Sequence, residues 1–548
     1  MQRTCPALFL SLQVQSDFGT MATMKLTDHD LKQINQEYLA SLTPGHLLHL
    51  SSKLLDDLRD ARDRLNQTPQ NSSRPSGSYA PWEQAANADK EREAEATLDD
   101  PAAEPAEKKA PKPEETEEDA RAPHNEQQAA PANQPGENKR KRGKQPGAKG
   151  VGREVSLAVT GEIIHKATEC ACCGENFAET APFQATTARY MLDIERTERG
   201  IEVSHVKHIY GEQCCGCGHV TQTKPGRCDD EQDWGVALTE WHLVGPMLSS
   251  LMICLSLRMR LSRPRIREFL SDWLGITLSV GCINQCIHEG GRAVAPIEDA
   301  LVAEIQQSDL LHADETGWKE DGRLLWLWVL RTATVTLYLI GRRNWDVIAS
   351  SLEGFSGWLM SDGYGQYRAY AKRLRCLAHI LRKARGLAES CHPAAAEFGQ
   401  QVFKTVTQLI KSVHRARGDP TLNLVEEHKM DLAQLQASCE QHRDHPHEKT
   451  RQLARELLND WQAIWRVLEH PTLPITNNVA EQSLRHWVIA RKISHGTRTS
   501  QGSRAFALLA SVIDTCRQRD VSPWPYIAEV IAARRQGNPA PAIPQPIG

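Results

Sequence analysis

The sequence predicts a multidomain α/β protein, and three observations support this fold class. A chain of 548 residues is too long for a single hydrophobic core. Short β-rich runs surround an acidic segment near residue 314, whereas residues 383–470 are rich in helix formers and show little strand pattern. Paired cysteines, typical of a small metal-bound domain, precede both regions. We therefore expect separate metal-binding, helical and mixed α/β parts.

The N-terminal part, residues 1–70, is predicted to be helical. Thr43-Pro44 is a typical helix start, and leucines recur from Leu47 to Leu65. These leucines favour either self-association of the helix or packing on a neighbouring part of the chain, and the pattern fits both equally well. The short apolar run at residues 7–12 has no convincing cleavage site after it, so no signal peptide is expected.

Residues 71–153 are predicted to be a disordered linker that ends in a basic run. Within residues 80–150 the only large apolar residues are Trp82 and Leu98, too little apolar surface to offset the entropy of ordering. Residues 81–137 carry 16 acidic and 6 basic side chains, whereas residues 138–153 carry 7 basic and no acidic ones. A tether to DNA phosphates is favoured over a merely solvated charge run. The run consists of Lys139, Arg140, Lys141 and Arg142.

Residues 154–230 contain seven cysteines, six of which form two clusters. Each cluster includes a Cys-x-x-Cys pair, a spacing that favours a metal site in a reducing cytosol over disulfides. We predict one structural Zn²⁺ in a zinc-ribbon-like domain, because four thiolates give zinc a closed tetrahedral shell. Alternating runs between the clusters are typical of the strands of such a ribbon. The predicted ligands are Cys170, Cys173, Cys214 and Cys217, with Cys172 and Cys215 as spare thiols that leave the ligand set open.

Residues 235–300 are predicted to form a helical region. A long buried helix at 241–257 precedes two shorter helical patterns, 264–274 and 279–290, which a Gly275-Ile276 turn separates. This is the pattern of a helix-turn-helix, although ordinary helical domains also contain such pairs. No apolar stretch of the chain reaches the roughly 20 residues that a membrane span needs, so no membrane partner is expected.

Two predicted strands in residues 301–520 end on carboxylates. Residues 308–318 contain a short buried strand that stops at Asp314, and a β-hairpin follows it. A second strand-like run, 357–360, leads to Asp362. Mg²⁺ prefers oxygen ligands held by rigid elements, so the C-terminal edge of these strands is a candidate Mg²⁺ site.

Glu481 is the third carboxylate that would complete this site. It lies in the first turn of a predicted helix that Thr476 or Asn477 can cap. Glu315 is not expected to be a ligand, because adjacent residues of a strand point to opposite faces. His312, two residues before Asp314, is on the same face and is a candidate to support the ligands.

Two basic runs adjoin the predicted ligands. Residues 364–385 carry 7 basic and no acidic residues, and residues 482–513 carry 5 basic and no acidic ones. One such run is often a solvated surface, but two runs beside predicted metal ligands favour a DNA channel. The candidate DNA contacts are Arg373, Arg382, Lys383, Arg485, Arg491 and Lys492.

The chain resembles the insertion-sequence-66 family of bacterial DDE transposases from about residue 154 to 531. The segments that carry the resemblance are 312–318, 361–364, 376–379 and 477–481, with Arg491-Lys492. The resemblance implies a ribonuclease-H-like mixed-sheet core, with a helical insertion at about 383–470, in which Asp314, Asp362 and Glu481 hold two Mg²⁺ ions. It further implies cleavage and transfer of DNA strands. A C-terminal helix and Pro-rich tail, 521–548, would follow the core.

The same resemblance implies partners and a location. The partners would be double-stranded DNA at the element ends and the target, a second copy of the chain in a dimer or larger assembly, and small helper proteins encoded alongside. The location would be the bacterial cytoplasm, on the nucleoid when DNA is bound. His379 and Asn478 would support the ligands. Cys376 and His379 are either half of a metal site or, as favoured, a packed thiol and a hydrogen-bonding histidine.

The alternative function is a catalytically inactive or domesticated DNA-binding protein derived from such a transposase. It is motivated by departures from the family pattern near Glu481, where Thr476 replaces the usual Asp and Gln482 replaces a frequent Arg. A nuclease that stops after hydrolysis is a weaker third interpretation.

Overall fold

The structure is a computed structural model that describes residues 31–32, 34–67, 71, 157–198, 200–229 and 234–546. Almost all of the predicted linker, including Lys139, Arg140, Lys141 and Arg142, lies outside these residues. The described part combines many helices with mixed β-sheets, in agreement with the predicted α/β class. None of its helices is both long and apolar enough to cross a membrane.

Two helices form the described N-terminal part, α1 (Gln36–Ser41) and α2 (Pro44–Leu65). The predicted helix start is confirmed, since Thr43 Oγ1 accepts a hydrogen bond from the His46 amide at 3.4 Å. The leucines are largely exposed, at 70% for Leu48 and 84% for Leu65. The helix therefore does not bury its leucines against the rest of the described chain.

A long hairpin dominates the region predicted to bind zinc. Its strands, β2 (Phe183–Thr197) and β3 (Gly200–Cys214), are antiparallel, and β1 (Gly161–His165) runs parallel to β3 on the other side. A short strand, β4 (Val220–Gln222), also pairs with β3. Two further strands, β5 (Arg227–Cys228) and β6 (Leu238–Thr239), form a separate pair. The predicted strands are present and extend further than expected.

Four helices follow. They are α3 (Pro246–Ile253), continued by a π-helical turn (Cys254–Arg258), α4 (Arg263–Leu274), α5 (Val280–Val294) and α6 (Ile297–Gln306). The predicted helix 241–257 begins five residues late, because Asp193 of the hairpin accepts the Leu248 amide at 2.7 Å and caps α3. The predicted turn is correct, since Gly275 ends α4 with φ 65° and Ser279 caps α5.

A five-stranded mixed sheet forms the centre of the C-terminal half. Its strands are β7 (Leu310–Glu320), β8 (Arg323–Arg331), β9 (Thr336–Gly341), β10 (Trp358–Ser361) and β11 (Arg373–Arg375). The order is β11-β10-β7-β8-β9. The first three strands in sequence are antiparallel, whereas β10 and β11 run parallel to β7.

The prediction that the first strand stops at Asp314 was wrong. The strand β7 continues to Glu320, because β8 pairs with it along its whole second half and places Val329 opposite Asp314. The neighbouring strand β10 does end at this level, since its pairing with β7 extends only to His312. Asp314 therefore lies inside its strand but beyond the end of its parallel neighbour.

Helices cover the sheet and form the predicted insertion. They are α7 (Asp346–Ala349), α8 (Leu377–Ala388), α9 (Pro393–Gly418), α10 (Leu424–Glu427), α11 (Lys429–His442), α12 (Glu448–Asn459), α13 (Trp461–Glu469), α14 (Asn478–Ser494), α15 (Ser500–Gln518) and α16 (Pro523–Arg535). Short 3₁₀ turns occur at Ser350–Leu352 and Gly365–Ala369. Helices α8 to α13 pack around a hydrophobic core of their own that also contains Met360 and Leu374 of the sheet edge. The predicted helical insertion is thus present and joined to the sheet.

A buried network of charges, which we name the arginine network, connects the insertion to the sheet. Arg375 of β11 is 0% exposed and contacts Asp460 at 2.9 Å and Glu456 at 2.6 Å. Arg368 and Arg373 also pair with Asp460. The prediction that Arg373 contacts DNA was wrong, because its guanidinium is buried against Asp460.

Candidate functional site

Strands β7 and β10 bring Asp314 and Asp362 to the same edge of the sheet. Met360 pairs with His312 in a parallel register, and extending that register by two residues sets Asp362 beside Asp314. Backbone amides orient both carboxylates: Glu315 N donates to Asp314 Oδ1 at 2.9 Å, and Tyr364 N donates to Asp362 Oδ1 at 2.8 Å. The two acids predicted from the sequence therefore belong to one site.

Glycine is needed directly after Asp362. A Cβ atom on Gly363 would lie 2.7 Å from both Arg375 Nη1 and Glu456 Oε1 of the arginine network. Those groups are held by ion pairs and cannot easily move away. The arginine network thus fixes the path of the loop that carries Asp362.

Helix α14 presents Glu481 in its first turn, half-buried beside the sheet edge. The other side of the helix packs on the sheet and on α15. Trp487 is fully buried, and its Nε1 donates to Asp514 at 2.8 Å. Asp514 also accepts from the hydroxyl of Tyr338 at 2.8 Å. These contacts keep the start of α14 over the edge that carries Asp314.

Asn477 attaches the start of α14 to β7. It is fully buried; its Nδ2 donates to the Ala313 carbonyl at 2.8 Å, and its Oδ1 lies 3.1 Å from His312 Nδ1. Its own amide donates to Cys376 Sγ at 3.2 Å. Asn477 occupies the N-cap position, as predicted, but its side chain forms no capping hydrogen bond.

The sequence interpretation missed this role of Asn477. The residue bridges the backbone next to Asp314 to the helix that carries Glu481. The one sequence signal was an amide residue at a helix start beside a buried strand, which equally predicts a simple cap. His312, which the sequence predicts to support the ligands, contacts Asn477.

The negative charge of Asp314 is strongly disfavoured by its surroundings. Burial, and then the nearby carboxylates of Asp362 and Glu481, raise the pKa of Asp314 well above its usual value. A cation bound among the three carboxylates would relieve this repulsion. The donor set, three carboxylates on rigid elements, fits Mg²⁺ or Mn²⁺.

Glu481 also contacts residues of α8. Its Oε1 lies 3.7 Å from His379 Nδ1 and 3.8 Å from Arg382 Nη2. Among the described residues, its carboxylate forms a tight group of ligand atoms, within 4.8 Å of one another, with Cys376 and His379 rather than with the two aspartates. A cation at the carboxylates would thus compete with α8 for Glu481.

The group formed by Cys376, His379 and Glu481 is a poor metal site. Burial raises the pKa of the Cys376 thiol to about 12, so the thiolate needed for metal binding is scarce at neutral pH. Burial, followed by the charge of Arg382, lowers the pKa of His379 well below its usual value. These environments agree with the favoured interpretation of a packed thiol and a neutral histidine.

Glu315 belongs to the opposite face of β7, as expected. Its carboxylate accepts hydrogen bonds from Arg343 at 2.8 Å and from the Tyr367 hydroxyl at 2.6 Å. Both of its oxygens therefore have strong partners. Glu315 adds negative charge near the site without being available as a ligand.

The predicted DNA-contacting residues have different environments. Lys383 pairs with Glu456 at 2.6 Å, and Arg491 donates to Thr316 Oγ1 at 3.1 Å, so both also hold the structure together. Arg382 is 20% exposed beside Glu481. Arg485 and Lys492 are exposed on α14. Arg382 and Arg485 thus lie near Glu481, whereas Lys492 lies eleven residues further along α14.

A second site is formed by four cysteines at the base of the hairpin. The sulfurs of Cys170 and Cys217 are 3.8 Å apart, and those of Cys173 and Cys215 are 3.6 Å apart. Four sulfurs at 2.3 Å from a tetrahedral Zn²⁺ are roughly 3.8 Å apart, so the separations fit zinc and exclude disulfides. Backbone amides of Cys173 and Cys172 lower the pKa of Cys170 to about 6. Although the His219 amide lowers the pKa of Cys217, Cys173 and burial raise it to about 12, so the metal-free cluster favours one thiolate.

The structure has Cys215 in this cluster where the sequence prediction has Cys214. Strand β3 continues through Cys214, and side chains alternate along it, so Gln213 is buried, Cys214 exposed and Cys215 buried. A tight turn then begins, with Gly218 N donating to the Cys215 carbonyl at 2.9 Å. The second knuckle is therefore Cys-x-Cys instead of Cys-x-x-Cys.

The fold and the site together define a class: an α/β domain in which a mixed sheet and a following helix bring carboxylates to one edge. Residues 242–505 match the family model described as "Transposase IS66 family". This part of the chain is therefore similar to that transposase family, as the sequence resemblance indicated. The match covers the helices α3 to α6, the sheet, the insertion and Glu481.

The chain is also similar to three proteins of Sinorhizobium fredii (strain NBRC 101917 / NGR234). It is 24% identical to uncharacterized protein y4qI over 303 residues, 49% of this chain and 56% of that relative. It is 23% identical to uncharacterized protein y4jD over 429 residues, 71% of this chain and 80% of that relative. For uncharacterized protein y4hP the identity is 22% over 415 residues, 68% and 71% of the two chains. The chain thus spans little more than half the length of the first relative.

Proposed function

We propose that this protein is a transposase that binds the ends of its DNA element, cuts them and joins them to target DNA. Asp314, Asp362 and Glu481 would be the ligands of two divalent cations. The observation that supports the proposal most strongly is the convergence of these carboxylates within a domain that matches the family model. The sheet order, with three antiparallel strands followed by two parallel ones, also agrees with a ribonuclease-H-like core.

The chemistry would proceed in two steps at one site. In the first, the oxygen of a water molecule bonds to phosphorus at the element end and the bond to the 3′ oxygen breaks, which frees a 3′-hydroxyl. In the second, that hydroxyl attacks a phosphate of the target, whose own 3′ oxygen leaves. Divalent cations, when bound, would polarise the phosphate and stabilise the charge on the attacking and leaving oxygens.

The protein's own residues would position the ligands and the DNA. Asn477 and His312 hold the start of α14 against β7, so that Glu481 stays near Asp314. The exposed cations Arg485 and Lys492 would bind DNA phosphates along α14. A nucleophilic serine, tyrosine or cysteine is not required, because each step is a direct attack on phosphorus.

Cleavage of labelled duplexes that carry the element ends tests the proposal. With Mg²⁺ or Mn²⁺ the wild-type protein should nick the ends, and Asp314→Asn should bind them but not nick them. Asp309→Asn is the matched control, because Asp309 is exposed just before the same strand. It should cleave at the wild-type rate.

Other outcomes would select the other functions. Binding of the ends without any metal-dependent cleavage by the wild-type protein would favour the inactive DNA-binding protein. Cleavage with no joining of pre-cut ends to target DNA would identify a nuclease. Wild-type cleavage by Asp314→Asn would refute the assignment of the site.

A further inference from the structure

Two regions far apart in sequence meet at a group of histidines and an aspartate. Asp60 lies on α2, His392 precedes α9 and His447 precedes α12. One ligand atom of each residue lies within 4.8 Å of those of the other two. His392 Nε2 is 3.1 Å from Asp60 Oδ1, and the rings of His392 and His447 are 4.6 Å apart at their centroids.

We propose that Asp60, His392 and His447 form a further metal site, for Zn²⁺ or a similar first-row divalent cation, that fastens α2 to the helical insertion. Imidazole nitrogens and carboxylate oxygens are ligands that these cations accept. Atoms about 2.1 Å from a tetrahedral zinc are roughly 3.4 Å apart, close to the separation of His392 and Asp60. Three protein ligands leave the fourth position for water. The proposal is independent of the transposase chemistry.

A hydrogen bond to Thr450 fixes the orientation of His447. Its Nδ1 lies 2.8 Å from Thr450 Oγ1, and the tautomer in which Nδ1–H donates to this hydroxyl leaves Nε2 for the cation. A hydrogen bond at the second ring nitrogen is the usual way in which a protein orients a ligating histidine.

Within the described part of the chain, polar contacts attach α2 to the insertion. None of its residues is buried. Two further contacts are polar: Asp63 accepts hydrogen bonds from the Ser390 hydroxyl and from the Cys391 amide. Partly exposed polar contacts contribute little to stability, so a shared cation would determine whether α2 stays docked.

Metal analysis of the full-length protein tests the site. After equilibration with Zn²⁺ and removal of excess, the wild-type chain should hold one more zinc than His447→Asn or Asp60→Asn. Asparagine at position 447 can still cap α12, so this variant removes the ligand and keeps the helix start. The control is His49→Asn, because His49 is exposed on α2 away from the group. Co²⁺ spectra distinguish this site from the cysteine cluster, since only thiolates give the intense sulfur-to-metal band.

Hydrogen exchange tests the fastening. At a free Zn²⁺ concentration 100 times the dissociation constant, the amides of α2 in the wild-type protein should exchange about 100-fold more slowly than without zinc. In His447→Asn the same zinc concentration should leave their exchange rates unchanged. Equal zinc content in wild type and both variants would overturn the site. Loss of zinc in the variants with no effect of zinc on α2 exchange would overturn the fastening. A plain ion pair between His392 and Asp60 predicts exchange that does not respond to zinc.

Discussion

The substitution Asn477→Ala tests whether cleavage depends on how precisely Glu481 is positioned, because it leaves all three carboxylates in place. The substitution removes two buried hydrogen bonds, one to the Ala313 carbonyl and one to His312. The lost bonds and the buried groups left without this partner should lower the free energy of unfolding by about 2 to 4 kcal/mol. Because α14 would then be free to shift by about 1 Å against β7, cleavage should fall on the order of 100-fold.

The assay compares urea unfolding and end cleavage for Asn477→Ala, the wild type and Asn459→Ala. Asn459 is exposed at the end of α12, and its substitution should change stability by less than about 0.5 kcal/mol. Binding of end DNA should be retained in both variants, since Asn477 has no exposed surface. Cleavage by folded Asn477→Ala at the wild-type rate would refute the positioning role.

Three further predictions concern charge and metal binding. Asp314→Asn should raise the melting temperature at neutral pH without metal. Burial and the neighbouring carboxylates raise the pKa of Asp314, so its charged form destabilises the fold and its removal is favourable. An unchanged or lower melting temperature would contradict this. Cys215→Ser should lose the zinc of the cysteine cluster and Cys214→Ser should keep it, as measured by metal content; the reverse result would restore the Cys-x-x-Cys knuckle. Asp460→Asn should cost about 3 to 5 kcal/mol in urea unfolding, because the buried guanidinium of Arg373 loses its ion pair and Arg375 keeps only Glu456. Burial raises the pKa of Asp460, but the arginines lower it by more, so the pKa is lower overall. The stability that the Asp460 ion pairs provide should therefore be lost as pH falls below about 4, where the unfolding free energy of the variant should match that of the wild type.

The sequence was most informative where chemistry and periodicity agree. The helix starts at Thr43 and Ser279, the turn at Gly275 and the hairpin after Asp314 all depend on local rules of capping, glycine conformation and alternation. The carboxylates of Asp314 and Asp362 were found because both follow β-rich runs. Glu481 was a candidate from its place in the first turn of a helix, but only the family resemblance linked it to Asp314, since no local rule connects a helix at 478 with a strand at 310.

The wrong predictions have a common physical cause, which is tertiary pairing. Strand β7 does not stop at Asp314 because β8 extends it. Cys214 is not in the cluster because β3 continues through it and turns its side chain outward. Arg373 is not a DNA contact because a carboxylate 87 residues later, Asp460, covers it. In each case the decisive partner is distant in sequence, and charge or spacing alone does not reveal it.

The arginine network restricts how this protein can be shortened or recombined. A variant in which helices α9 to α13 are deleted would lose Glu456 and Asp460 and would leave Arg373 and Arg375 as uncompensated cations at the sheet edge. Gly363, which packs against the same network, would lose these neighbours, and the loop that carries Asp362 would no longer be held in place. The insertion and the edge strand therefore depend on each other. A shortened variant that stays folded, natural or designed, must replace these arginines with apolar residues when it loses the helices.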